Sequence, residues 1–492
     1  MPKKESGIHI RLILYPILLL LLCLPLFMQL DLLPIRLWDE SRLAMNACNM
    51  LHNKNYLVTF YNGMPDMWNT KPPLLIWMQV LFMKWMGVNE LSVRLPSALA
   101  ALATCLALIL FSKRYIKNKW IGFIAAFVLV CSQGYLGVHA ARTGDYDALL
   151  TCMTTCSGLF FILYCEKKRP KDLYLFFLFT TLAVLTKGIA GVLFFPALLL
   201  YSLFSKQLTP LLKNKHLYIG SFIFIGTVCA YYLLRESLNH GYIAAVIRNE
   251  LGARYLNVVE KHHYGYLYYF NNLMDSRFTW WYLFLPAGLL AGLMHKNREI
   301  KRITLFSALM ALTYILVITL AKTKLEWYDV PMYPFLSLLA AVFIQYMFDL
   351  TMTFRWIIQG RWTRFVPYVL IVFLFAIPYT RALSSAFKTT EEAEYKLVYD
   401  TGSYFRDALN GKEDVQGESI VYAGYNANVL FYVKLLQGKG VKINFKDRNK
   451  LEHGDIIIVS QQYMKRFIDK NYSFLTLETK GSIETYKILA KN

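Results

Sequence analysis

Residues 8–30, IHIRLILYPILLLLLCLPLFMQL, are apolar almost throughout, and residues 36–53, RLWDESRLAMNACNMLHN, follow with adjacent carboxylates at Asp39 and Glu40 and a cation at Arg42. About 20 apolar residues rising 1.5 Å each cross the roughly 30 Å hydrocarbon layer as a helix, so the first stretch reads as a membrane span and the second as its lip. The basic MPKK before it suggests a signal peptide. The run is too long for one, however, and no small-x-small cleavage site follows, so an uncleaved signal anchor with a cytoplasmic N-terminus is expected.

The rest of the chain repeats the pattern. Apolar runs recur near 92–112, 120–138, 148–165, 172–186, 188–204, 217–235, 278–295, 303–321, 329–348 and 365–382, eleven in all with the first. With the N-terminus in the cytoplasm, alternate loops should be rich in Lys and Arg. They are: Lys113, Arg114, Lys117 and Lys119; Lys167, Lys168, Arg169 and Lys171; Lys206, Lys213 and Lys215; Lys296, Arg298, Lys301 and Arg302; Arg355, Arg361 and Arg364. The expected fold is thus a polytopic α-helical membrane protein of about eleven spans. Residues 1–382 form the membrane domain, and a small soluble α/β domain, 383–492, lies on the outer side.

Composition agrees with this reading and excludes others. Of 492 residues, 56% are hydrophobic and 17% charged, which rules out an ordinary soluble domain. The net charge of +21 sits in short clusters between apolar runs, as in KRYIKNK and HKNREIKR, so it marks cytoplasmic loops rather than a nucleic-acid surface. Eight cysteines are scattered with no CxxC spacing, which argues against a disulfide scaffold or a cysteine-ligated zinc. The tail alternates polar helix with β-rich runs, SIVYAGY, NANVLFYVKLL, VKINF, GDIIIVS, FLTLET and ETYKILA, and has no glycine-rich phosphate loop.

On this topology the remaining charges gather at the outer surface. Asp39, Glu40 and Arg42 follow the first span, and Lys71 lies later in the loop 31–91 within NTKPPLLIW. Arg142, Asp145 and Asp147 lie in ARTGDYDALL, and Lys187 in LTKG. His262 and His263 lie in the loop 236–277, and Lys322, Lys324, Glu326, Tyr328 and Asp329 precede the tenth run. A carboxylate can take a proton from an attacking hydroxyl, while Lys and Arg hold a phosphate and stabilise charge as it leaves. A lipid-phosphate donor would put its chain in the bilayer and its reacting carbon in water, where these groups are expected.

The motifs also resemble a known family. WDESRLA is similar to the Asp-Glu-x-Arg of the first outer loop of GT-C glycosyltransferases in the protein O-mannosyltransferase and aminoarabinose transferase group. TKPPL, RTGDYDALL, LTKG, KHHYGYLYYF and KTKLEWYDVPMYPF resemble its later landmarks in the same order, over roughly residues 9–348. The resemblance implies an inverting transferase using a polyprenyl-phosphate sugar, with no required cofactor and at most a weakly associated divalent metal. By motif it implies Asp39 as the catalytic acidic residue, beside Glu40, and Asp147 as the second acid, with Asp145 able to exchange roles with it. Lys71 and Arg42 match donor-phosphate contacts; Lys187 and Arg142 are expected to assist them. His262, His263, Lys322, Lys324 and Tyr328 are possible substrate contacts. The acceptor, an envelope lipid A-like glycolipid, glycan or protein, is not carried over, because the span count departs from the aminoarabinose enzymes. The expected location is a bacterial inner membrane with the site and tail in the periplasm.

Plainer readings stand beside these. Asp39 could cap the helix that begins there. Lys71 before Pro72 and Pro73 could be a snorkelling interfacial lysine, and Lys187-Gly188 an anchor and turn. Adjacent His262 and His263 point apart and lack an obvious third ligand, so no metal is assigned to them. Arg142 could simply pair with Asp145 or Asp147. A lipid or solute transporter is the alternative function, but it should carry ionisable residues in mid-span, whereas these charges sit at junctions.

Overall fold

The computed structural model describes residues 3–256, 264–360, 362–388 and 395–492. Each of the eleven expected runs overlaps a helix, several over only part of the run, and the count of eleven spans is not confirmed. Among the described residues seven helices are long and apolar enough to cross a membrane: Glu90–Ile116, Tyr146–Lys167, Pro170–Val192, Lys215–Leu238, Arg298–Leu320, Glu326–Thr351 and Thr363–Ser385. Ile13–Phe27, Lys119–Val130, Phe195–Phe204 and Phe284–Met294 are apolar but shorter, as is Leu74–Met86, which the sequence reading left inside an outer loop.

Local chemistry sets the helix ends. Asn118, Asn214 and Asn297 each accept a backbone N–H of the following helix's first turn, satisfying a donor that the helix itself cannot. Lys168 closes the helix before it in the left-handed region, φ 54°, and Pro170 opens the next, which gives a tight hairpin between two spans.

The chain divides into two compact units. One comprises Met1–Met28, Pro65–Met78 and Leu95–Ala386, the other Gln29–Met64, Gln79–Arg94 and Phe387–Asn492. The first is the helical bundle, in which Tyr146–Lys167 packs along Pro170–Lys187 and Tyr333–Thr351 against Lys119–Val130 and Phe284–Met294. Its core buries Trp281, Tyr135, Tyr333 and Phe335 completely.

The second unit holds a five-stranded mixed sheet in the order Asn444–Phe445, Ser419–Ile420, Ile456–Val459, Ile483–Lys491, Tyr472–Lys480. The first three strands run parallel and the last two form an antiparallel hairpin. The run NANVLFYVKLL is a helix, Ala427–Gly438, despite its β-branched and aromatic content, because its apolar residues are buried against Asp39–Asn53 and Lys396–Leu409. The first outer loop therefore groups with the tail instead of with the spans around it. Tyr432 ties them together, accepting from the Ile35 backbone N–H at 2.9 Å and donating to Glu90 at 2.7 Å. The tail begins at Phe387, close to the expected boundary, but the unit it joins includes much of residues 29–94.

Candidate active site

In the helical unit, the motif RTGDYDALL turns into the helix Tyr146–Lys167, with Asp145 at its cap position and Asp147 in its first turn. Both side chains are buried. Lys187 is the last residue of the helix Pro170–Lys187, and its Nζ lies 2.5 Å from Asp147 Oδ1. Gly188 follows at φ 56°, ψ −130°, a conformation open to glycine and costly for any residue with a Cβ. The LTKG turn thus reverses the chain and leaves Lys187 pointing inward.

Lys71 is buried too, with Nζ 3.6 Å from Glu250 Oε1 and 5.5 Å from the Tyr146 ring centre. Its strand of chain is fastened on both sides. Thr70 donates to Glu250 at 3.3 Å and accepts from Tyr242 at 2.8 Å through its carbonyl; Asn69 donates to the Tyr146 hydroxyl at 3.0 Å. Asp147, Lys187, Glu250 and Tyr328 line one cavity of about 50 Å³ whose other walls include Leu150, Ile189, Leu193 and Ile318. Lys187 also sits 5.4 Å from the Tyr328 ring centre. The result is a chamber whose lining is mostly apolar and includes a lysine held in place by a carboxylate.

Asp145 has different company. His139, buried and at φ 62°, stacks on Trp327 with ring centres 3.7 Å apart, and its Nδ1 lies 3.3 Å from Asp145 Oδ2. Neither Asp145 carboxylate oxygen has a hydrogen-bond partner among the described residues. A buried carboxylate beside an imidazole can move a proton or hold a divalent cation. Sequence reasoning passed over His139, although it lies three residues before Arg142. It also missed Glu250, a lone acid in IRNELGARY.

Other expected residues have structural tasks. Arg142, expected to assist at the donor phosphate, donates to the Pro25 and Met28 carbonyls at 2.7 and 2.8 Å, closing the C-terminal end of the first helix. Asp329 is fully buried and accepts from Arg277 at 2.8 and 2.9 Å and from Tyr333 at 2.9 Å. Lys324 is buried and donates to the Ala321 carbonyl at 2.9 Å; burial pushes its pKa down. Lys322 is exposed. His262 and His263 lie outside the described residues.

The second unit contains Asp39, Glu40 and Arg42. Asp39 opens the helix Asp39–Asn53 and is half-buried. Trp38 occupies the cap position, so Asp39 is the first residue of the helix and not its cap. Glu40 is buried with both oxygens engaged: Arg94 Nε and Nη2 donate at 2.7 and 2.9 Å, and the Arg36 backbone N–H at 2.7 Å. Arg94 also donates to the Leu30, Leu33 and Pro34 carbonyls at 2.7–2.9 Å. Glu40, expected beside the catalytic acid, thus braces the loop through a bidentate ion pair. The signal was available, since an arginine inside the apolar run LSVRLPS needs a buried partner. Arg42, expected as a donor-phosphate contact, lays its guanidinium 3.6 Å from the Tyr61 ring centre.

Residues 70–247 match the family described as dolichyl-phosphate-mannose-protein mannosyltransferase. An uncharacterized protein of Aquifex aeolicus is 26% identical over 311 residues, 62% of this chain and 59% of that protein. The undecaprenyl phosphate-alpha-4-amino-4-deoxy-L-arabinose arabinosyl transferase of Shewanella sediminis is 28% identical over 196 residues, 38% of this chain and 35% of that protein. This chain thus spans less than two thirds of either relative. Among solved structures, ArnT from Cupriavidus metallidurans bound to undecaprenyl phosphate superposes with a TM-score of 0.71 at 17% identity, covering 98% of both chains. The archaeal oligosaccharyltransferase AglB of Archaeoglobus fulgidus gives 0.52 at 11% identity, covering 98% of this chain and 74% of that one. The fold is that of the GT-C transferases, and the resemblance read from the six motifs is borne out.

Proposed function

We propose that this protein is an inverting glycosyltransferase that moves a sugar from a polyprenyl-phosphate donor to an envelope acceptor at the outer face of the membrane. The observation that carries it is the cavity that Lys187, clamped to Asp147, lines together with the apolar Ile189, Leu193 and Ile318. A phosphate on an isoprenoid chain needs both surfaces at once. The ligand named in the ArnT structure, undecaprenyl phosphate, is of this chemistry, which supports the reading.

In this mechanism Lys187 and Lys71 neutralise the donor phosphate as negative charge develops on it, and Asp147 and Glu250 keep the two ammonium groups aimed. Asp39 takes the proton of an acceptor hydroxyl, or orients the nucleophile if the acceptor is itself a phosphate. Asp145, paired with His139, is the second acid, since Asp147 is committed to Lys187. Two lysines supply the positive charge, so no metal is required for donor activation. The membrane is a bacterial cytoplasmic membrane, with the N-terminus inside and the site and tail in the periplasm. A lipid or solute transporter is disfavoured by the placement of charges at helix ends.

The test is transfer of labelled sugar from a panel of polyprenyl-phosphate donors to cell-envelope extract, with wild type and Asp39→Asn in parallel. Loss of a general base should cost about 10²- to 10⁴-fold in rate. Equal activity of the two would remove Asp39 from the mechanism. Lipid binding without transfer from any donor would remove the reaction.

A further inference from the structure

Trp38, the residue before Asp39, is held in an unfavourable way on two counts. Its backbone sits at φ 71°, ψ −120°, a region that excludes bulky side chains unless the surroundings force it, and its indole is 49% exposed. Stability by itself would put glycine at such a φ and a polar group at such an exposure.

The surroundings that enforce it belong to the same unit. The Trp38 ring stacks on Tyr425 with centres 4.9 Å apart and planes within 8°, and Tyr425 stacks on Tyr61 at 6.1 Å and 14°. Arg42 closes the far end over Tyr61 at 3.6 Å. Hydrogen bonds lock the ladder at its edge: the Tyr425 hydroxyl donates to the Trp38 carbonyl at 3.2 Å, and the Tyr61 hydroxyl to Asn426 at 3.3 Å. The Trp38 carbonyl also accepts from the Arg42 N–H and the Ser41 hydroxyl at 3.0 and 2.9 Å. One ring face is covered by Tyr425, and the exposure lies on the rest.

We infer that this ladder is a saccharide platform on which a sugar ring of the acceptor stacks against Trp38, beside the Asp39 carboxylate. The inference rests on the glycosyl-transfer reading and deepens it by assigning the acceptor to the glycan or glycolipid class. An aromatic face is electron-rich and attracts the weakly positive C–H groups that a pyranose presents on one side. The sugar's hydroxyls project from its rim, where the half-buried Asp39 and Asn426 supply partners. A tryptophan that only anchors in lipid needs no such polar border. Tyr425 comes from the tail, so the tail contributes directly to the platform.

The experiment uses the full chain in lipid nanodiscs and compares wild type, Trp38→Gly, Trp38→Phe and Tyr425→Ala. Donor cleavage by wild type is measured first, because its absence defeats the glycosyl-transfer reading and leaves the platform a separate question, answered by direct binding of a panel of pyranose disaccharides, a β-linked glucosamine disaccharide included. With donor cleavage present, acceptor KM for the saccharide should rise about 3- to 10-fold in Trp38→Gly and Tyr425→Ala, more than kcat falls. Trp38→Phe should restore most of it. Trp38→Gly should keep its unfolding temperature within a few degrees, since glycine relieves the backbone strain. Unchanged KM and binding across the panel would overturn the proposal. So would a Trp38-dependent KM for a Ser/Thr-rich peptide alone, or a Trp38 effect confined to vesicle association.

Discussion

Lys187 is clamped to Asp147 at 2.5 Å inside the chamber, and both side chains are buried. Two roles are open to it: neutralising Asp147 or gripping a phosphate. Replacement separates them. At an effective dielectric of about 20, two charges 2.5 Å apart attract by about 7 kcal/mol, most of which offsets the loss of water around both ions. Lys187→Met should therefore destabilise the fold by about 3–5 kcal/mol, because a buried carboxylate is left unpaired. The double variant Asp147→Asn, Lys187→Met removes both charges and should recover most of that loss. Donor binding should behave differently, since a charge-assisted contact to phosphate is worth about 1.5–3 kcal/mol, or about 10- to 150-fold in affinity, and the double variant cannot restore it. Undecaprenyl phosphate binding to detergent-solubilised protein, read beside thermal unfolding, makes both measurements on one sample. A double variant that is stable and binds undecaprenyl phosphate like wild type would show that Lys187 serves Asp147 alone.

Three further outcomes follow from the geometry. Arg94→Met should cost about 3–5 kcal/mol, since it strands Glu40 and three carbonyls, while Glu40→Gln should leave undecaprenyl phosphate affinity within twofold by the same binding assay; a large loss of affinity would give Glu40 a part in donor binding that its bracing role does not explain. Glu418 has its pKa raised from 4.5 to about 7, first by burial and then by Asp414 and Glu478. Its folded form holds a proton that the unfolded chain gives up, so its contribution is full below pH 4.5 and is lost as pH rises through about 7. Glu418→Gln should thus match wild type in unfolding temperature near pH 4.5 and exceed it above pH 7; parallel profiles would contradict this. Transfer should persist in excess EDTA, because lysines balance the phosphate, and a loss reversed by added Mg²⁺ or Mn²⁺ would instead place an ion at His139 and Asp145.

The sequence by itself determined the membrane class, the approximate place of the apolar helices, the α/β character of the tail and the order of the motifs. These depend on short-range properties: a run of apolar residues has one way to satisfy its backbone in lipid, and Asn, Gly and Pro act on the peptide units beside them. Glu40, Arg42 and Arg142 looked as functional as Asp39, Lys71 and Lys187, since a sequence shows which charges are near a surface and not which are already paired. Only the tertiary structure decided that. It joined Glu40 to Arg94 across more than fifty positions, turned Arg142 onto the first helix's end, laid Arg42 on Tyr61 and set Lys187 against Asp147. It also stacked Tyr425 of the tail on Trp38 of the first outer loop. A partner far along the chain leaves no periodic trace in the residues around it, because an ion pair or a stacked ring is specified by where the backbone returns, and that return is set by packing of the whole unit.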